Sequence, residues 1–149
     1  MTRRFAAPFQ AAPQQILIDT GAYFALSDTT DANHERANGI RQRLLAEHWQ
    51  LFTTNFIVAE THALMLTRLG YRFALRFLND IEQSSTRIVR ATPNDEQRAR
   101  AIIRQYDDKR FSHTDAVSFA VMERLGIPQA FAFDRNFGQY GLQVLTPQP

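Results

Sequence analysis

The sequence predicts an α/β domain with a central, mainly parallel sheet of about five strands flanked by helices. Short apolar runs such as residues 16–18 and 130–133 are typical of strands buried on both faces. Longer segments between them carry apolar residues at helical spacing, as at Ala99, Ile102 and Ile103. Strands and helices alternate along the chain, which favours parallel strands joined by helices.

Each element has its own sequence signal. Strands are predicted at apolar runs, and helices at amphipathic segments that begin with a capping residue or end at glycine. The predicted strands are 16–18, 51–53, 86–89, 130–133 and 143–145. The predicted helices are 22–26, 34–47, 55–69 with Thr54 or Asn55 as a cap, 71–83, one beginning at 93–96, and 112–125 closed by Gly126.

Length and composition fit a single domain. The 149 residues, 44% of them hydrophobic, are enough for one core. We expect residues 1–15, rich in Ala, Gln and Pro, to form a flexible arm, and residues 16–149 to form the domain. No apolar run approaches the roughly 20 residues of a membrane span, so we expect a cytoplasmic protein with no membrane association. The absence of cysteine excludes disulfides and thiolate metal sites.

Two aspartates follow predicted strands. Asp19 comes directly after the first strand and Asp134 after the fourth. In open α/β sheets, functional crevices lie beyond the carboxyl ends of the strands, so both are candidate site residues. Each also fits a simple structural role as a turn or helix cap.

Two further carboxylates fall on predicted helix faces. Glu60 lies at helical spacing from Phe56, Ile57 and Leu64, so we expect it on an apolar face, either paired with an arginine or bound to a metal. The alternative is a helix rotated so that Glu60 lies at the edge of that face. Asp115 is the fourth residue of a Ser112 capping box, and the apolar stripe that follows it points it inward. Capping and metal ligation are compatible for this residue.

Four carboxylates that met in one cleft would repel one another unless a cation compensated them. Mg²⁺ prefers carboxylate and water ligands, and a pair of such ions activates water in phosphodiester cleavage. The spacing alone suggests a metal site without establishing one.

Several fragments in order resemble the PIN-domain ribonucleases of the VapC toxin type. The resemblance covers about residues 16–145 and runs through ILIDT followed by AYFAL, DANHERA, TTNFIVAE, SHTDA and FDRNFG. It implies a PIN-like, three-layer fold. It also implies that Asp19, Glu60, Asp115 and Asp134 bind Mg²⁺ or Mn²⁺ and that the hydroxyl of Thr20 lies in the same site.

Other polar residues of these fragments have simpler explanations. We interpret Asn55 as a helix cap, Thr114 as a solvent-facing residue and His34 as a histidine at a helix start with no catalytic role. Arg135 is placed to contact a phosphate or a site carboxylate. The arginines spaced every four residues from Arg68 to Arg76 form either a phosphate track or a solvated face.

The resemblance implies an endoribonuclease that cleaves RNA by in-line attack of a metal-activated water. It further implies the toxin of a type II toxin-antitoxin pair, with a small antitoxin as partner and a homodimer as assembly. Two alternatives stay open: a non-catalytic PIN-fold module that binds RNA or protein, and a nuclease outside any toxin-antitoxin pair. An aspartyl phosphatase is disfavoured, because Asp19-Thr20-Gly21 lacks a second acid two positions on.

Overall fold

The computed structural model describes residues 12–146 and contains five strands and seven helices over that range. Of the predicted arm, residues 1–11 lie outside the described part. The elements are β1 (Gln15–Ile18), α1 (Thr20–Ser27), α2 (His34–Ala46), β2 (Gln50–Thr54), α3 (Asn55–Arg68), α4 (Tyr71–Gln83), β3 (Arg87–Val89), α5 (Pro93–Gln105), α6 (His113–Leu125), β4 (Gln129–Phe131), α7 (Asn136–Tyr140) and β5 (Gln143–Val144).

The five strands form one sheet in the order β3-β2-β1-β4-β5, and every pairing is parallel. The chain moves outward from β1 through β2 to β3, then returns to the other side of β1 for β4 and β5. This reversal places a topological switch between the neighbouring strands β1 and β4. Ligand-binding crevices of open α/β sheets lie at the carboxyl ends of strands flanking such a switch.

The central strand β1 divides the core into two layers. Leu17 packs in a cluster with residues of α5 and α6, whereas Ile16 and Ile18 pack with residues of α1 and α2 on the other face. Because successive strand residues point to opposite faces, this short apolar run contributes to both layers. The result is the predicted three-layer arrangement. None of the helices in 12–146 is long and apolar enough to span a bilayer.

Two details of the predicted elements are wrong. The fourth strand ends at Phe131 instead of Phe133, because β1 ends at Ile18 and leaves no strand beside Phe133. The short helix α7 was not predicted, since its five residues include Gly138 and are too few for a helical period. It is held in place by Phe137, whose fully buried ring packs edge-on against Phe119.

Candidate active site

The carboxyl ends of β1 and β4 bring Asp19 and Asp134 to the switch point. Asp19 directly follows β1, is only 4% exposed, and its backbone N–H donates to Phe131 O at 3.0 Å, which ties it to the end of β4. It occupies the position before α1, yet its side chain makes no capping hydrogen bond. The Thr20 backbone N–H lowers the pKa of Asp19, but burial and the neighbouring carboxylates outweigh it, so the carboxylate is poorly compensated where it lies.

Asp115 enters the same region from the first turn of α6. The predicted capping box is present: Asp115 N–H donates to Ser112 Oγ at 3.0 Å, and Ser112 N–H donates to Asp115 Oδ2 at 3.0 Å. The cap fixes the rotamer of a carboxylate that is itself buried. It leaves Oδ1 without a hydrogen bond from the residues that the structure describes.

Asn136 links two of the acidic residues and was missed in the sequence. Its side-chain Nδ2 donates to Asp115 Oδ2 at 2.7 Å, while its backbone N–H donates to Asp134 Oδ1 at 3.0 Å. The local signal was available, because an aspartate commonly accepts from the backbone N–H two residues later in a turn. The contact to Asp115, 21 residues away, depended on the tertiary fold.

Glu60 lies on α3 and differs from its prediction. It is exposed and forms no ion pair with an arginine of residues 12–146, so the expected burial on an apolar face is wrong and the alternative of an edge position fits. The face toward the core is formed instead by Ile57, Thr61 and Met65, which are buried. Glu60 nevertheless stands near the aspartates, because its charge contributes to the raised pKa of both Asp19 and Asp134.

The site is electrostatically uncompensated. Burial, followed by the nearby charge of Asp134, raises the pKa of Asp19 to about 8, with smaller contributions from Asp115 and Glu60. Partial burial and the charges of Asp115 and Glu60 also raise the pKa of Asp134. Within residues 12–146, the five ion pairs involve other acids, so no Lys, Arg or His nitrogen lies within 4.0 Å of any of these four carboxylates.

Threonine hydroxyls line the floor of the cluster. Thr20 is buried in the first turn of α1, and its Oγ1 accepts a hydrogen bond from Thr61 Oγ1 at 3.2 Å. Thr61, fully buried on α3, was not singled out in the sequence because a threonine next to Glu60 carries no distinctive pattern.

The donor set fits a hard divalent cation. All the side chains that converge here offer oxygen, which Mg²⁺ and Mn²⁺ prefer. In the described part of the chain, no three acidic or histidine side chains stand close enough together to enclose a metal ion. Mg²⁺ typically keeps several waters and is bound through one or two carboxylates, so a pair of these acids with water is a suitable arrangement.

Three other polar residues were predicted to lie outside the catalytic set, and the structure gives the position of each. Asn55 is not a cap: Thr54 caps α3 by accepting from Ile57 N–H at 3.1 Å, while Asn55 Oδ1 accepts from Ala91 N–H at 2.9 Å and tethers the loop before α5. His34 is the first residue of α2, and its Nδ1 lies 2.7 Å from Ala25 O. Thr114 is half-buried beside Asp115.

The three spaced arginines do not share one helix, because Arg68 is the last residue of α3 whereas Arg72 and Arg76 lie on α4. Arg68 packs over the Phe24 ring, and Arg76 lies 3.8 Å from Asp80 in an exposed ion pair.

Comparison with known proteins identifies the family. The PIN domain model matches residues 16–142. The chain belongs to the PIN-domain family. One relative is the 23S rRNA-specific endonuclease VapC20 of Mycobacterium tuberculosis. The two are 32% identical over 134 residues, which cover 89% of this chain and 99% of VapC20. This chain is also 32% identical over 126 residues to a VapC ribonuclease of Archaeoglobus fulgidus, covering 81% of this chain and 78% of that one.

Solved structures agree with this assignment. The crystal structure of VapC20, a sarcin-ricin loop cleaving toxin, superimposes with a TM-score of 0.81 over 89% of this PIN domain chain and 99% of that chain. A chain of a toxin-antitoxin complex from Klebsiella pneumoniae, 18% identical, superimposes with a TM-score of 0.62 over 89% of this chain and 98% of that one. The second likeness shows a shared fold. The predicted family and three-layer fold are therefore confirmed.

Proposed function

We propose that the chain is a divalent-metal-dependent endoribonuclease in which Asp19, Glu60, Asp115 and Asp134 hold Mg²⁺ or Mn²⁺. The observation that carries this proposal is the burial of Asp19 at the switch point without an ion-pair partner in residues 12–146. Burial, followed by the charges of Asp134, Asp115 and Glu60, raises the pKa of Asp19 to about 8. Burying an ionised carboxylate such as that of Asp19 lowers the stability of the fold unless a bound cation compensates its charge. Kinship with VapC endonucleases supports RNA as the substrate.

The residues divide the work of phosphodiester hydrolysis. A divalent ion, when bound, activates a water molecule and stabilises charge on the phosphate. Asp19 and Asp115, both buried, hold fixed positions at the floor, and the exposed Glu60 and Asp134 close the site from the solvent side. The buried hydroxyl of Thr20, which follows Asp19 directly, donates a hydrogen bond to a phosphate oxygen.

The decisive experiment is RNA cleavage by the purified protein with Mg²⁺ or Mn²⁺ and after chelation. The RNA panel includes 23S rRNA, because a relative cuts it. We expect metal-dependent cuts that disappear in Asp19→Asn, which conserves shape and removes the charge. Asp95→Asn is the matched control, since Asp95 is also a buried aspartate but pairs with Arg124 outside the site. Folded wild-type protein that binds no metal and cuts no RNA contradicts the proposal and favours a non-catalytic module.

We further propose that the protein acts in the cytoplasm as a toxin controlled by a small antitoxin. VapC20, 32% identical, is a toxin. A cavity of about 500 Å³ between α1, α2 and α4 offers an apolar docking place; its walls include Leu26, Leu45, Phe73 and Phe77. Phe73 is 48% exposed and Leu45 is 54% exposed, so a bound partner would bury apolar surface there.

Co-expression tests this partnership. We expect the chain to co-purify with the product of a short neighbouring reading frame, and Phe73→Asp to weaken the complex at least tenfold while free-enzyme cleavage is retained. Inhibition that is unchanged in Phe73→Asp contradicts this docking place.

We also propose that the isolated chain forms a homodimer. Its molar mass, measured by light scattering, tests this proposal, and a monomer at micromolar concentration contradicts it.

A further inference from the structure

A second cavity opens beside the acidic cluster and shares one of its residues. It has a volume of about 240 Å³ and lies between the start of α2 and the segment that joins β4 to α7. Its walls include Asn33, Arg36, Phe133, Asp134, Arg135 and Gly138. Because Asp134 belongs to both, a ligand in this cavity stands next to the reacting centre.

Two arginines give the cavity its chemistry. Arg36 and Arg135 are both exposed, and neither forms an ion pair with a residue in the range 12–146. The guanidinium carbon of Arg36 lies 5.9 Å from the centre of the Phe133 ring, so an aromatic face orients this side chain toward the cavity wall. Guanidinium groups with free donors are well suited to bind phosphate oxygens.

We propose that this cavity, the Arg36–Arg135 pocket, binds the RNA backbone at a phosphate flanking the scissile bond. The inference rests on the proposed endoribonuclease function and adds where the substrate strand is held. The cavity is smaller than the roughly 300–1,000 Å³ of a drug-sized ligand pocket, which favours a phosphate with its ribose over stacked bases. Backbone contacts position a nucleic acid without reading its sequence, so the pocket sets register and affinity.

Binding measurements test the pocket separately from catalysis. Asp19→Asn protein with Mg²⁺ is titrated with a fluorescent single-stranded RNA at several NaCl concentrations, and anisotropy is recorded. The double variant Arg36→Ala/Arg135→Ala, built in that background, is expected to bind about tenfold more weakly. The salt slope of its binding constant should fall by about 0.7, the value for one lost phosphate contact on a single strand.

A charge-matched control lies on the same helix. Arg43→Ala is compared with the single variant Arg36→Ala, because each removes one positive charge. Arg43 lies seven residues, about two turns, along α2 from Arg36 and already pairs with Glu47 at 3.1 Å. Arg43→Ala should leave the affinity within twofold and the salt slope unchanged. If Arg43→Ala weakens binding as much as the pocket variants, diffuse charge explains the effect and the pocket is overturned.

A steric variant provides a second readout. A Cβ atom added at Gly138 meets no atom within 4 Å, so Gly138→Leu should introduce a side chain at the pocket wall without a clash at the backbone. In otherwise wild-type enzyme we expect about a tenfold higher KM for RNA, with kcat within twofold and an unchanged melting temperature. If the wild type cleaves RNA and the KM is unchanged in both Gly138→Leu and the arginine variants, the pocket is refuted while the proposed function stands. No cleavage by the wild type refutes the proposed function instead, while the anisotropy still reports on the pocket.

Discussion

The protein contains the same capping box twice, and the two copies have opposite electrostatic environments. At the start of α5, Asp95 accepts from Thr92 N–H and from Arg124, at 2.9 Å to Nε and 2.8 Å to NH2. At the start of α6, Asp115 accepts from Ser112 N–H and from the neutral amide of Asn136. Asp95 is matched by a cation, whereas the charge of Asp115 adds to the raised pKa of both Asp19 and Asp134.

Burial therefore does not distinguish a structural acid from a functional one, whereas compensation does. Asp95 is 3% exposed and Asp19 4% exposed. The hydrogen bonds from Arg124 hold the pKa of Asp95 below its usual value, while burial raises the pKa of Asp19 to about 8. Arg124 joins α6 to α5, and the cluster at the switch point is left with a charge that a metal can satisfy.

The largest effect should come from neutralising one copy of the motif at a time. Asp115→Asn is expected to lower metal-dependent RNA cleavage more than about a hundredfold, because it removes a proposed metal ligand. Loss of a ligand should lower the rate more than loss of a residue that only orients a ligand. The helix cap in Asp115→Asn should persist through the amide oxygen. Asp95→Asn should unfold at lower denaturant but cleave normally per folded molecule. Cleavage rates normalised to folded protein decide this; equal losses in both variants would abolish the distinction.

The pH dependence of stability should reveal the uncompensated charge. The folded-state pKa of Asp19 is about 8 against 3.8 for the ordinary value, so the folded state binds the extra proton between those values. Stability in EDTA should thus fall as pH rises from about 4 to 8. Asp19→Asn should flatten this fall and be more stable than wild type at pH 8, by on the order of a few kcal/mol.

Urea denaturation at pH 5 and pH 8 measures this effect. Adding Mg²⁺ at about 100 times its Kd should stabilise the wild type by about 2.7 kcal/mol and Asp19→Asn much less. A wild type whose stability is equal at both pH values without metal would mean that the charge of Asp19 is compensated after all.

Removing the compensating cation should cost stability and spare chemistry. Arg124→Ala leaves Asp95 buried without its partner, and we expect about 2 kcal/mol lower free energy of unfolding. This is less than for a fully buried pair, because the Arg124 side chain is 40% exposed. The midpoint of urea unfolding checks the loss. Arg100→Ala, an exposed arginine on α5, is the control and should change stability by less than about 0.5 kcal/mol.

The smallest effect should come from the neutral partner of Asp115. Asn136→Ala removes the 2.7 Å hydrogen bond that orients the carboxylate, so we expect about tenfold weaker metal binding and cleavage. Asn136→Asp keeps the backbone bond to Asp134 but adds a like charge beside Asp115, and should be worse than alanine. Calorimetric Mn²⁺ titration separates the two variants. An aspartate that binds metal more tightly than asparagine would assign position 136 as a ligand.

Most of the elements could be read from the sequence because their signals are local. The box Ser112 to Asp115, the cap at Thr54 and the run at residues 16–18 each specify a helix start or a buried strand without distant contacts. The apolar runs placed Asp19 and Asp134 after strands, and the parallel pairing of β1 with β4 makes those two strands neighbours. The metal-binding role of the two aspartates stays a prediction.

Only the tertiary structure decided which groups surround each acid. Asp95 and Asp115 occupy the same position in the same local motif. The packing of α5 against α6 brings Arg124 to Asp95, whereas the position of α7 brings Asn136 to Asp115. Glu60 is exposed because α3 turns Ile57, Thr61 and Met65 inward. Backbone conformation depends on nearby residues, whereas the charge around a carboxylate depends on partners that are distant in sequence and are brought together only by folding.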